Sequence, residues 1–259
     1  MTNSIHHSAK ASHYDKDAES YDTFNEKNSR STNQNIERIL KKYKVKTVLD
    51  LTCGTGPQVF WLAKCGYKVT GSDINKRMLK VAKDKAKREK VEVKLLEGDM
   101  RTVKVGKFDA ILTIFNAIGH LTKADFDKAM RNIKSNLSEG GIYVFDIFNL
   151  EYLLNDGAIT KLTIDWQKTV GDTIFRDIQY STIDQSGVLA SYTTSYKQKG
   201  SGKAKISKSM QTLQIYTAKE LSEMLTSNGF KVLHQCTVDG ARFYNTKSDR
   251  ILIVAKKNS

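Results

Sequence analysis

Short apolar runs and segments of helical periodicity alternate from Thr47 to Ile147. Thr47–Leu51 reads as a strand, and Gln58–Cys65 as a helix stopped by Gly66. Lys68–Ser72 reads as a second strand, with Asn75 placed to cap a helix that ends near Lys90. Val91–Leu96 and Phe108–Phe115 are further strands, the latter apolar enough to be buried on both faces. Lys123–Leu137 reads as a helix closed by the Gly140-Gly141 turn, and Ile142–Ile147 as a fifth strand. Parallel strands need crossover connections, and right-handed crossovers place helices on both faces of the sheet. The pattern therefore predicts an α/β fold with a mostly parallel sheet.

The flanks follow other rhythms. The first dozen residues, with His6, His7 and His13, read as a loose tail over residues 1–13. Tyr14, Ala18, Tyr21 and Phe24 then recur at helical spacing, and a second helix is predicted over Asn33–Tyr43 with Ile36, Ile39, Leu40 and Tyr43 on one stripe. Beyond Asn149, the stretch from Leu162 to Tyr216 is rich in Thr, Ser, Tyr and Ile, with turn signals at Gly171, Gly187 and Gly200–Gly202. Its alternating segments Thr173–Ile183 and Leu189–Tyr196 predict an antiparallel meander. A helix over Thr217–Asn228 and strands over Lys231–Val238 and Arg250–Ala255 complete the main sheet. The expected organisation is one domain from residues 14–149 and 217–259, with an antiparallel insertion over 150–216 acting as a substrate lid.

Composition narrows the partners. No apolar run approaches the ~18 residues of a transmembrane helix, and the N-terminal segment has no secretory h-region. Cys53, Cys65 and Cys236 show no CxxC spacing, which favours free thiols in a reducing, cytoplasmic setting. No metal site is expected, since the histidine pair near the N-terminus lacks acidic or cysteine partners at ligand spacing. Lys and Arg outnumber Asp and Glu by 42 to 28, a net charge of +14 that suits an anionic partner such as RNA. The densest basic run, Lys76 to Lys90, is interleaved with Met78, Leu79, Ala82 and Ala86 at helical spacing, and that pattern fits a solvated outer face better.

Ligands of open parallel sheets collect beyond the carboxyl ends of the strands. After the first strand, Gly54 and Gly56 permit a sharp turn and close backbone approach. The third glycine of a dinucleotide fingerprint is replaced by Val59, and Pro57 removes an N–H donor, so the turn suits a ligand without a pyrophosphate. After the second strand, Asp73 is placed to accept hydrogen bonds from both hydroxyls of a ribose. Glu97-Gly98-Asp99-Met100 offers a carboxylate for an adenine amino group and an apolar side chain for its ring. Phe115-Asn116-Ala117-Ile118-Gly119-His120 lines the space beside the reactive group, where His120 suits either a site contact or a helix cap. Leu51, Ile74, Met78 and Phe115 are the apolar residues assigned to the same pocket.

These motifs, Leu49–Gly56, Asp73, Gly98-Asp99-Met100, Asn116–Leu121 and Gly140-Gly141, resemble in order those of class I S-adenosylmethionine-dependent methyltransferases. The likeness runs from about Tyr14 to Asn149, and the β-rich insertion looks like that of glycine/sarcosine and amino-sugar N-methyltransferases. The resemblance implies a Rossmann-like seven-stranded sheet and S-adenosyl-L-methionine as cofactor. It further implies that Asp50, Gly54 and Gly56 hold the methionine portion, Asp73 the ribose, and Asp99 with Met100 the adenine. Arg30 aligns with an arginine that pairs with the cofactor carboxylate, though a solvated arginine near a helix start is the alternative. Tyr14 and Tyr21 resemble aromatics that close over the cofactor, and helix packing is their alternative role. Phe148 stands where glycine-type enzymes carry an arginine for the substrate carboxylate, which favours a less acidic or more apolar amine. Asn116, His120 and Asp146 are expected near that amine as the catalytic set.

The expected acceptor is thus a small molecule, with a monomer and a homodimer both open. An RNA-directed enzyme is the alternative raised by the charge, but no Asn/Asp-Pro-Pro-aromatic motif follows the fourth strand. A non-catalytic protein that keeps the cofactor pocket is the other alternative.

Overall fold

The computed structural model describes residues 5–15, 18 and 21–258, the side chains of residues 23–28 excepted. In chain order the elements begin with α1 (Tyr21–Lys42), β1 (Thr47–Asp50), α2 (Pro57–Lys64), β2 (Lys68–Asp73), α3 (Lys76–Glu89) and β3 (Lys94–Glu97). Next come β4 (Phe108–Thr113), α4 (Lys123–Asn136), β5 (Leu137–Phe148) and the short α5 (Leu150–Leu153). The insertion supplies β6 (Ile164–Val170), β7 (Thr173–Ile183), β8 (Val188–Lys199) and β9 (Lys205–Gln214). The chain closes with α6 (Ala218–Ser227), β10 (Phe230–Cys236) and β11 (Arg250–Lys257).

The main sheet has seven strands in the order β10-β11-β5-β4-β1-β2-β3. Strands β1 to β5 run parallel, and β11 lies antiparallel between β5 and β10. The period of two along each strand sorts the core into two layers. Val48, Ala110, Leu112 and Val144 pack with Ile36, Leu40, Leu62 and Leu79 of α1, α2 and α3. Leu49, Ile111, Tyr143 and Phe145 face the other way, onto Phe126, Met130 and Ile133 of α4 and Leu221 of α6. The side-chain oxygens of Asn75, Thr122 and Thr217 cap α3, α4 and α6, taking the backbone N–H groups of Met78, Asp125 and Glu220.

Strands β6 to β9 form a separate four-stranded antiparallel sheet, as the meander pattern predicts. The insertion leaves and re-enters the main domain at adjacent points, where the Leu150 N–H donates to the Tyr216 carbonyl at 3.1 Å. Leu189 and Leu213 at its near end join the main core.

Two elements differ from the sequence reading. The segment expected to be helical from Tyr14 is a turn over residues 11–15, and α1 starts at Tyr21 and runs unbroken through the helix expected from Asn33, because no Gly or Pro interrupts Tyr21–Lys42. The Gly140-Gly141 pair does not end a helix. Helix α4 stops at Asn136, β5 begins at once, and the glycines absorb a shift in the β4–β5 register between Phe108–Leu137 and Ala110–Ile142. Among the described residues no helix is long and apolar enough to cross a membrane.

Candidate functional site

The turn after β1 is built around left-handed backbone. Gly54 and Gly56 have φ of 51° and 91°, and a Cβ on Gly56 would lie 2.5 Å from the Phe60 ring. The turn is pinned to the end of β2 by the Gly54 N–H, which donates to Asp73 Oδ2 at 2.8 Å, and by the Cys53 N–H, which donates to the Ser72 carbonyl at 2.9 Å. The other Asp73 oxygen takes the Asn75 N–H at 2.8 Å, which turns the chain into α3. On the far side of the turn, Thr55 Oγ1 and Lys85 Nζ both donate to Asp22, which ties the start of α1 to the turn and to α3.

Beyond these strand ends lies a cavity with about 780 Å³ of free space, mouth included. Leu51, Thr52, Gly54, Asp73, Ile74 and Met78 line one side, and Gly98, Asp99 and Met100 continue the wall. Gly98 is required there, since a Cβ would come within 2.5 Å of Val103 and 2.7 Å of Ser72 Oγ. Phe115, Ala117 and His120 from the segment after β4 close the other end, with Tyr14 and Tyr21.

Residues 5–15 cross this cavity and are hydrogen-bonded to the body, where composition alone reads a loose tail. The Ala9 N–H donates to the His120 carbonyl at 2.8 Å, and Asn75 Nδ2 donates to the Ala11 carbonyl at 2.7 Å. His6 bonds Leu121 O and Thr212 Oγ1, Ser8 donates to Asp125, and His13 reaches Gln211. The strap therefore bridges the α4 side of the main domain and the edge strand β9. The Tyr14 hydroxyl lies 2.7 Å from His120 Nε2, and the His13, Tyr14, Tyr21 and His120 rings meet edge to face at centroid distances of 4.8 to 5.6 Å.

Burial sets the protonation states. Asp50 lies behind the turn at 1% exposure; Oδ1 accepts the Thr52 N–H, and Oδ2 is buried without a partner among the described residues. Burial, reinforced by the neighbouring Asp73, pushes the Asp50 carboxyl up to about 7, against the opposing Thr52 hydrogen bond. Asp73 is raised too, by burial, with the Asn75 and Gly54 N–H groups opposing. His120 is pushed down to about 3 by burial, then by the nearby His13 and His6, so its imidazole is neutral. Its Nδ1 is buried with no hydrogen-bond partner among the described residues. Burial, with Asp73 nearby, raises Tyr21 to about 12. For Asp99, partial burial opposes ionisation but is outweighed by hydrogen bonds from Arg101, which hold the carboxyl below its usual range.

The sequence-predicted residues divide into three groups. Tyr21, Leu51, Gly54, Asp73, Ile74, Met78, Asp99, Met100, Phe115 and His120 line the cavity together. Asp50 and Gly56 support the turn from behind. Arg30 does not reach the cavity; it lines a neighbouring groove with Asn33, Pro57 and Phe60. The trio expected around the amine also separates, and only His120 faces the cavity. Asn116 Oδ1 accepts the Phe148 N–H at 2.8 Å, and Asp146 Oδ1 accepts the Phe115 N–H at 2.6 Å. Each side chain thus gives an oxygen to a backbone N–H, because this segment turns back through left-handed conformations.

Two arginines escaped the sequence reading. Arg101 grips Asp99 through its guanidinium and its N–H, and reaches Asp125 as well; a charged pair two residues apart was the available signal. Arg250 stands opposite Phe148 in the β5–β11 register and pairs with Asp146. A cation therefore does stand beside Phe148, although position 148 itself carries none. Nothing local marks Arg250, since it reaches the site from a strand 104 residues beyond Asp146.

Residues 48–141 match a protein-family model described as a methyltransferase domain. The human glycine N-methyltransferase is 30% identical over 137 residues, 46% of this chain and 46% of that enzyme, so the match spans about half the relative's length. Two solved structures share the fold. One is an S-adenosylmethionine-dependent methyltransferase from Clostridium acetobutylicum ATCC 824, with TM-score 0.76 and 18% identity over 95% of this chain and 99% of that one. The other is the sugar N-methyltransferase KedS8 from Streptoalloteichus sp ATCC 53650, with TM-score 0.76 and 17% identity over 100% and 98%.

Proposed function

We propose that this chain, whose residues 48–141 form a methyltransferase domain on the fold of S-adenosylmethionine-dependent methyltransferases, methylates an amine nitrogen of a small molecule. The observation that carries the reading is the row of acceptors along one cavity, from Thr52 through Asp73 to Asp99, with Asp50 behind the glycine turn. Thr52 Oγ1 on the lining and Asp50 Oδ2 behind the turn are buried polar atoms without partners among the described residues, and groups of that kind beside a cavity suit a ligand with amino and hydroxyl donors. The residues present therefore fit the cofactor. Asp73 would take the ribose hydroxyls, and Asp99 with Met100 the adenine. Leu51, Thr52 and Gly54 would hold the amino-acid end, with Asp50 behind them. Arg30 is left out of this set, since it faces the neighbouring groove.

S-adenosylmethionine supplies a methyl group on a sulfonium, ready for in-line displacement. The chain supplies position and dryness. Tyr14, Tyr21, Phe115 and His120 wall the reacting end with rings, whose faces favour a cation. Neutral His120, held by Tyr14 through Nε2, can orient an amine through Nδ1 but cannot store its proton near neutrality. The acceptor must therefore arrive as the free amine or lose its proton to solvent. The likeness to glycine and sugar N-methyltransferases supports nitrogen as the atom methylated. The insertion over residues 150–216, touching the strap through Gln211 and Thr212, is assigned the role of substrate lid.

The test has two steps. Calorimetry with S-adenosylmethionine should show binding to the wild type and a loss of tenfold or more in Asp73→Ala. Labelled-methyl transfer is then screened over amine, amino-sugar and RNA pools. Absence of binding to the wild type would defeat the reading, and transfer into RNA with none into small amines would overturn the acceptor class.

A further inference from the structure

We infer that Arg250 and Asp146 act together as a positioning pair that fixes Phe115 as the wall of the cavity's reacting end. Phe115 and Asn116 follow β4 with φ of 64° and 59°, consecutive non-glycine residues in left-handed backbone. An aromatic residue is rarely found there, and such a conformation persists only where its surroundings over-determine it. The surroundings are on hand. The Phe115 N–H donates to Asp146 Oδ1 at 2.6 Å, and Asn116 Oδ1 takes the Phe148 N–H at 2.8 Å. Together these bonds clasp the turn to the end of β5.

The clasp depends on a charge brought from elsewhere in the chain. Asp146 is fully buried at 0% exposure, and a buried carboxylate without a partner is strongly destabilising. Arg250 on β11 supplies the partner: its guanidinium pairs with Asp146 Oδ2 while the carboxylate's other oxygen holds Phe115. The same guanidinium lies over the Phe115 and Phe148 rings, 5.8 and 5.4 Å from their centroids. One arginine therefore touches the ring, and through Asp146 the backbone, of the residue that walls the cavity. Arg250 lies outside the family-matched residues 48–141, so the domain's own motifs are completed from β11. We place it as a positioning residue, with no contact to reacting atoms claimed.

The inference rests on the cavity being the S-adenosylmethionine site, and calorimetry with S-adenosylhomocysteine separates the two claims. Arg250→Met should weaken binding about tenfold at unchanged stoichiometry, and Arg250→Lys should recover most of the loss. Arg176→Met, which removes an exposed ion pair in the insertion, should bind as the wild type does. Should Arg250→Met fail to fold because Asp146 is stranded, the double variant Asp146→Asn/Arg250→Met removes the stranded charge and keeps an acceptor for the Phe115 N–H; it should show the same weakening. A purely structural pair would lower the melting temperature in these variants and leave the affinity of the folded fraction unchanged, and that result overturns the inference. No binding to the wild type would instead defeat the cofactor reading.

Discussion

Replacing Asp50 by Asn should change the pH dependence of stability in one direction by a calculable amount. Asp50 has one oxygen on the Thr52 N–H and the other buried without a partner among the described residues, and burial lifts its carboxyl from 3.8 to about 7. The folded state therefore holds this proton more tightly than the unfolded state does. Its contribution is fully present below the unfolded value, declines as pH rises, and is lost once pH passes the folded value near 7. At 1.36 kcal/mol per pH unit the change from pH 4 to pH 8 is about 4 kcal/mol. His120 works oppositely: its folded value near 3 lies below the ordinary 6.5, so its contribution is lost as pH falls. The wild-type curve alone mixes the two. The difference between Asp50→Asn and wild type isolates the carboxyl, since Asn keeps an acceptor for Thr52 and cannot ionise. Urea unfolding followed by far-UV circular dichroism at pH steps from 4 to 8 should show the variant gaining on the wild type across this range. A difference flat to within about 1 kcal/mol would show that Asp50 is ionised and solvated at neutral pH, and the argument from its buried oxygen would fail.

Other outcomes follow from the same geometry. In the wild type, S-adenosylmethionine binding at pH 7 should release a proton as a cationic ligand comes to lie in front of Asp50, seen as a calorimetric enthalpy that varies with the buffer's ionisation heat. The pH profile of kcat/KM on an amine acceptor should rise with the amine's own ionisation and show no inflection near pH 6.5, because His120 stays neutral; an inflection lost in His120→Gln would contradict this. Gly56→Ala should destabilise by about 2–4 kcal/mol in urea titrations, from left-handed strain plus a Cβ 2.5 Å from the Phe60 ring. Gly54→Ala, whose Cβ would meet only Met78 Cε at 3.8 Å, should cost about 1 kcal/mol.

Much of the scaffold was legible because its signals are short-range. Asn75 reads as a cap and is one, and Thr173–Ile183 reads as a strand and is one. Strand and helix faces depend on residues within a turn or two of each other, and periodicity records them. Boundaries set by long-range pairing were less legible. Gly140-Gly141 looks like a helix stop, yet it bends a strand whose partner lies some thirty residues away. The duties of Asn116 and Asp146 were hidden for the same reason. A polar residue at a strand end faces a ligand or a neighbouring backbone according to how the next strand returns.

Sequence by itself determined the glycine turn, Asp73, Asp99-Met100 and their order, because each follows its own strand and the parallel fold carries every such end to one edge. Tertiary structure alone decided what covers and braces that wall. The strap over the cavity comes from a segment whose composition carries no packing signal, and it is held by bonds to His120, Asn75 and Thr212. Arg250 beside Phe148 is the sharper case, since only the antiparallel seating of β11 on β5 brings that charge to Asp146. Local periodicity encodes the conformation and faces of each segment, whereas side chains far apart in sequence meet only through strand order and register.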